Sequence, residues 1–296
     1  MAIETLPEPS IPITTPLRPR FGFLTETPII AVATICLGLI VASAIVAPLI
    51  SPHDPLLLVP AQRLKPSSAQ FWLGTDAYGR DVLSRILYGG RVSLLIGLGS
   101  ALISIGVGLL IGLVSGFFKW VDAVLMRIMD GLMAIPSVLL AVAVVSLSGA
   151  SIATVLIAIT IPEVPRVARL VRSVVLSARE EPYVEAAISV GSSLPKIMWR
   201  HLMPNTIAPL IVQGTYVCAS AILTEAILSF LGAGINPETP TWGNMMAEGR
   251  VYFQLKPSLI FWPGLMLSLA ILSINLIGDA ARDALDPRMK KREGGK

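Results

Sequence analysis

Residues 185–204 read EAAISVGSSLPKIMWRHLMP. Glu185 is followed by Ala186 and Ala187 where a solvated helix face would carry charge, which leaves room for another protein to approach closely. Gly191 is the residue type that most readily turns a chain through a left-handed elbow, and Pro204 stands where a new helix would open. The pattern predicts two short helices broken near Gly191. Tyr183, Ala187, Val190, Leu194 and Ile197 recur every three or four residues and form an apolar stripe for a partner or for a membrane. On both sides of this hairpin the chain turns strongly apolar, so the fold depends on what those flanking runs are.

Of the 296 residues, 54% are hydrophobic and only 14% charged, against about 25% charged in an ordinary soluble domain. The mean hydropathy is +0.74, whereas a soluble chain must still cover its surface with polar groups. The solvent implied is lipid. Roughly 20 uncharged residues cross a hydrocarbon layer of about 30 Å, and four runs meet that length: Thr27 to His53, Val92 to Phe118, Leu202 to Thr224 and Pro257 to Gly278. A fifth run, Gly131 to Pro162, is too long for one span and is punctuated by Ser146, Ser148, Gly149 and Ser151. It reads as two helices joined by a tight turn, the first starting near Leu125 and the second continuing past Glu163 toward Arg172. The expectation is an all-α polytopic membrane protein with six transmembrane helices and both termini on one side.

Residues 1–26 hold five prolines together with Arg18 and Arg20, ahead of an apolar segment longer than a signal-peptide core. This reads as a loose tail before an uncleaved anchor. If the N-terminus is inside, the inner side carries two Lys or Arg in the tail, two at 119–127, six from Arg166 to Arg200 and six at the C-terminus, against seven outside. Positive charge therefore favours cytoplasmic termini and a cytoplasmic 173–201 loop, although Arg80, Arg85 and Arg91 crowd the outer side. The excess of basic over acidic residues is only +4, with no dense basic run before the last ten residues, which argues against nucleic-acid binding. Cys36 and Cys218 lie in apolar stretches, and no cysteine or histidine spacing suits a metal.

Glu185-Ala186-Ala187, three residues, Gly191, nine residues, then His201-Leu202-Met203-Pro204 resembles the cytoplasmic loop of bacterial ABC importer permeases. Met203 replaces the usual Leu, and His201 stands where Ile is frequent, though His is common in the peptide-transporting branch. Three further stretches extend the likeness. They are Trp72-Leu73-Gly74-Thr75-Asp76 continuing through Gly79-Arg80-Asp81 to Gly90-Arg91, then Leu223-Thr224-Glu225-Ala226 with Leu228-Ser229-Phe230-Leu231-Gly232 and Thr241-Trp242-Gly243, and last Gly278-Asp279 through Arg288. Together they resemble the C-type subunit of the oligopeptide, dipeptide and nickel permease family over residues 29–290. The resemblance implies the type I ABC importer permease fold in a bacterial inner membrane. It divides the chain into a cytoplasmic tail at 1–28, a first transmembrane helix at 29–50 and a periplasmic loop at 51–91. A five-helix core at 92–278 follows, with its coupling loop at 173–205, and then a cytoplasmic tail at 279–296.

The same resemblance assigns ATPase coupling to Glu185, Ala186, Ala187, Gly191, His201 and Pro204, with Glu185 to Gly191 as the helix that docks on an ATPase. It implies four partners: a second, related permease, two ATPase subunits and an extracytoplasmic binding protein meeting the 51–91 and 232–256 loops. The solutes implied are peptides or peptide-like compounds. This chain lacks a Gly-x4-Gly-Lys-Ser/Thr phosphate loop, so ATP and magnesium belong to the partners and no cofactor is expected here.

Glu225 lies inside an apolar span, where a carboxylate costs about 2.5 to 3.5 kcal/mol and must face protein or water. A hydrogen-bonded structural role and a place in the solute path both fit it, and the same holds for Glu163 between Pro162 and Pro165. Gly108, Gly112 and Gly116 recur every four residues and permit a close helix crossing. Asp122, Arg127 and Asp130 read as an interfacial salt-bridge cluster. An intramembrane enzyme using Glu163 and Glu225 is disfavoured because no His-partnered nucleophile or His-Glu-x-x-His motif occurs. A passive channel would leave the Glu-Ala-Ala loop without a purpose.

Overall fold

The structure, a computed structural model, describes residues 28–285; the expected N-terminal tail lies outside them but for Pro28, and the expected C-terminal tail from residue 279 begins inside the last helix, which runs to Leu285. Helices α1 (Pro28–Ile50), α2 (Val82–Phe117), α3 (Lys119–Ala134), α4 (Ser137–Ser148) and α5 (Ile152–Ala178) are followed by the short α6 (Pro182–Ser189) and α7 (Leu194–Ile197). A five-residue π-turn then leads into α8 (Met203–Phe230), and α9 (Trp242–Gly249) and α10 (Ser258–Leu285) complete the order. The chain is all-α, with an isolated bridge from Thr75 to Asp81 as the sole β-type pairing among the described residues.

The bundle is organised around α2 and α5. Gly108, Gly112 and Gly116 face Val167, Val171 and Val175, and a Cβ on any of the three would come within 2.6 Å of a valine side chain. The absence of a side chain therefore sets the separation of the two helices, as the four-residue glycine repeat predicts. α8 and α10 pack beside this pair, and α1 buries only Ala33, Ile40, Ala44 and Ala47 while its larger apolar residues face outward. That distribution suits a helix immersed in lipid on most of its surface.

Two boundaries differ from the sequence expectation. α2 begins at Val82, so the outer loop ends at residue 81 and not at 91. Asp81 caps the helix through its side chain, which accepts from the Ser84 N–H at 3.0 Å. Charge hid those first turns, because Arg85 interrupts the apolar run while being buried and ion-paired. The long run 131–162 does divide at Gly149, whose φ of +85° suits glycine, but the span before it is itself broken. α3 starts at Lys119, and α3 and α4 meet at 89°. Pro136 forces Ile135 into an extended backbone (φ −90°, ψ 128°) and stops α3.

By length and composition four helices suffice to cross a membrane, and the bent α3–α4 pair adds a fifth. α5 is 27 residues long, about 40 Å at 1.5 Å per residue, but it carries Glu163, Arg166 and Arg169. The six-span expectation therefore depends on α5, whose charges find partners inside the protein.

Candidate functional site

The α6–α7 hairpin is built as its sequence predicts. Pro182 opens α6, and Gly191 closes it at φ +77°. The Gly191 N–H donates to the Ile188 carbonyl at 2.9 Å and the Ser192 N–H to the Ala187 carbonyl at 3.0 Å, the paired bonds of a glycine-terminated helix end. The Glu185 side chain is exposed with no hydrogen-bond partner among the described residues. Ala186 is exposed and Ala187 half-buried beside it. Pro204 occupies the first turn of α8 on an exposed face. His201 is half-buried, its ring 6.3 Å from that of Tyr183, and Asn205 bridges the two by donating to the Tyr183 hydroxyl and the His201 carbonyl.

One member of the expected stripe turns inward. Tyr183, Val190 and Leu194 are exposed, Val190 at 86%, but Ile197 is buried in one cluster with Val184, Leu202, Leu113 and Val175. Helical periodicity cannot carry across Gly191, where the chain reverses, so one apolar stripe in the sequence becomes two faces. The inner face fastens the hairpin to the ends of α2 and α5. The outer face is left with Tyr183, Ile188, Val190 and Leu194, and nothing in the described chain covers it.

Polar groups inside the bundle fall into two environments. Glu225 is completely buried and accepts from Ser229 Oγ at 2.9 Å, Thr241 Oγ1 at 2.9 Å and Ser93 Oγ at 3.4 Å. Three hydroxyls from three segments clamp this carboxylate between α2, α8 and the start of α9. Glu163 is almost as deep but less well satisfied. Oε1 accepts from Arg166 at 2.9 Å and Ser220 at 3.4 Å, while Oε2 is buried without a donor among the described residues. One turn and two turns further along α5, Arg169 pairs with Asp130 at 2.5 Å, and Arg172 clasps Asp122 with its Nη2 at 2.6 Å from Oδ2. The expected cluster at Asp122 and Asp130 thus forms, but its cations come from α5 and not from Arg127. An arginine every third residue at 166, 169 and 172 was the available signal.

Outside the helix bundle, the outer loop is held by a compact ion network. Asp76 accepts from Arg80 Nε and Arg85 Nη1, both at 2.6 Å, and Glu248 of α9 accepts from Arg80 Nη2 at 2.6 Å and Arg85 Nη1 at 2.7 Å. Burial works to push the Asp76 carboxyl up, but the Arg85 and Arg80 guanidiniums and the N–H groups of Arg80 and Tyr78 hold it below the usual carboxylate range. Lys256 donates to the Thr75 carbonyl at 2.7 Å, and burial lowers its pKa against the opposing pull of Asp76. Arg80 and Arg85, which read in sequence as outer-side surface charges, are in fact internal. The two histidines sit at opposite ends of the bundle. His53 lies by Asp81 at the start of α2, and His201 by the hairpin at its far end.

Residues 104–291 match the model of the "Binding-protein-dependent transport system inner membrane component" family. The chain belongs to that family. It is 51% identical over 249 residues to a probable peptide ABC transporter permease protein of Sinorhizobium fredii, covering 84% of this chain and 85% of the relative. It is 40% identical over 285 residues to the dipeptide transport system permease protein DppC of Alkalihalophilus pseudofirmus, covering 96% and 94%. In fold it is similar to a chain of the MetNI methionine ABC transporter solved in inward-facing conformations, with a TM-score of 0.54, 17% identity, and coverage of 68% of this chain and 97% of that one. As an inner membrane component the chain is a multi-pass transport subunit and not an enzyme. The family match covers the hairpin, the α5 charge ladder and Glu225, but begins after Asp76, Arg80 and Arg85 of the outer-loop network.

Proposed function

We propose that this chain forms half of the translocation path of an ATP-driven importer for di- or oligopeptides or peptide-like solutes, and that the α6–α7 hairpin transmits the force of ATP closure. The observation that carries the proposal is the hairpin's two-sidedness. Its outer face exposes Glu185, Ala186, Val190 and Leu194 with nothing among the described residues over them, while its inner face plugs Val184 and Ile197 into the ends of α2 and α5. A load applied to the outer face is passed through close-packed side chains to α2 and to α5, which bears Glu163 and Arg166. Peptide solutes are supported by the names of the Sinorhizobium and Alkalihalophilus relatives.

In this reading two ATPase subunits bind ATP and magnesium, a second related permease completes the path, and an extracytoplasmic binding protein delivers solute to the 51–81 and 232–256 loops. The hairpin and both termini are cytoplasmic, an orientation supported by the distribution of Lys and Arg. Glu225, with its three hydroxyl donors, acts as a structural clamp, and Glu163 is the carboxylate nearer the path. The test is a tagged purification in mild detergent with and without Glu185→Lys. We expect a second permease and two ATPase chains to accompany the wild type and the ATPase chains to be lost from the variant. Recovery of the chain alone, or an undiminished ATPase complement and transport in the variant, would overturn the coupling role.

A further inference from the structure

A cleft of about 180 Å³ lies between the α3–α4 elbow and α5, lined by Leu132, Met133, Ile135, Pro136, Ser137, Pro162 and Arg166. Two residues of its wall, Ser137 and Arg166, are polar although it is cut into apolar helices. Arg166 lies about 21 Å along a helix of about 40 Å, near the middle of α5. Of its five N–H groups one is committed, to Glu163 at 2.9 Å, and its side chain is 38% exposed. Ser137 begins α4, whose first N–H groups have no helical acceptor and whose dipole favours negative charge.

The fork of an arginine beside a helix N-terminus is a pairing suited to a carboxylate, which can accept two parallel N–H bonds. Building on the importer reading, we infer that this cleft is a transient binding subsite for the carboxylate of the transported solute, with Arg166 as its recognising group and Glu163 as the residue that positions the guanidinium. Broken helices meeting near mid-depth are where transporters commonly place anionic groups. Glu163 holds Arg166 from one side through Oε1 and leaves the remainder of the fork to a ligand.

The test places a reporter in the cleft. In the purified importer complex carrying Cys36→Ser and Cys218→Ser, Ser137→Cys is labelled with an anionic sulfonate thiol reagent and with its cationic ammonium counterpart. We expect the anionic reagent to react roughly tenfold faster relative to the cationic one, and Arg166→Gln to abolish that preference while Arg166→Lys keeps part of it. Millimolar alanylalanine should slow the labelling, and its C-terminal amide should not. An unlabelled cysteine, equal rates for the two reagents, or equal protection by dipeptide and amide would overturn the inference. Protection by phosphatidylglycerol in place of dipeptide would overturn it in favour of a lipid headgroup. The reagent ratio requires no transport. Recovery of the wild-type chain without ATPase subunits would therefore refute the importer reading, while the reagent ratio would still be read on that same purified preparation.

Discussion

Replacing Asp76 with Asn tests whether the outer ion network holds the 54–81 segment to the bundle. The substitution preserves shape. Asn can keep an oxygen where Oδ1 accepts from the Tyr78 and Arg80 N–H groups at 2.8 and 2.9 Å, but it puts an NH₂ where Oδ2 now accepts from Arg80 and Arg85. Two charge-assisted bonds become donor–donor contacts. Two guanidiniums then share Glu248 alone, and Arg85 is 1% exposed with no recourse to water. Removing one partner from a buried ion pair costs about 3 to 5 kcal/mol. Because Glu248 remains and is itself 21% exposed, we expect the lower end, about 3 kcal/mol, or roughly a hundredfold rise in the population with the segment undocked.

Amide hydrogen exchange of residues 54–81 in the detergent-solubilised protein reads that population directly. Exposed Arg63, which donates to the Tyr252 hydroxyl at 3.1 Å, supplies the comparison, and Arg63→Ala should change exchange by less than about threefold. Added salt should do little to the buried network. The pH dependence follows from the lowered pKa of Asp76. Its contribution is complete above the unfolded value near 3.8 and is lost as pH falls through the still lower folded value. A tenfold or smaller change in Asp76→Asn, or one matched by Arg63→Ala, would refute the argument that this network holds the segment.

Further outcomes are expected at the hairpin and in the outer loop. Ile197→Ala, which empties a fully packed site under the hairpin, should destabilise the subunit by about 2 to 5 kcal/mol. Val190→Ala, on the exposed face, should leave thermal stability unchanged and weaken ATPase recovery. Gly191→Ala should cost about 1 to 2 kcal/mol of hairpin stability because φ is +77°, with no steric contribution since nothing lies within 4 Å of the added Cβ. Gly191→Asn should recover part of that loss, as measured by proteolysis of 182–204. Lys256 has a folded-state pKa below its ordinary 10.5, so docking of the outer loop should strengthen as pH rises through the folded value toward 10.5. Lys256→Met should flatten that slope in the same exchange measurement.

The membrane-spanning character, the hairpin elbow at Gly191, a close helix crossing at Gly108, Gly112 and Gly116, though not its partner α5, and the turn at Gly149 were legible in the chain alone. Each follows from a local rule, either the length of an apolar run or the backbone and steric freedom of glycine, that needs no partner to operate. Charge was where local reading failed. Arg85 sits inside the first turns of α2 because Asp76 and Glu248, the latter 163 residues away, neutralise it. The helix through Arg169 and Arg172 was anticipated, but not that these two, in place of Arg127, pair with Asp130 and Asp122 on α3. The division of the 183–197 stripe into an anchoring face with Ile197 and an open face with Val190 likewise required the reversal at Gly191 to be completed in space. The sequence by itself determined which segments are apolar and where the backbone can turn. The tertiary structure decided which charges are internal, because the energy of a buried charge depends on its distance to an opposite one, and that distance exists only once the helices have packed.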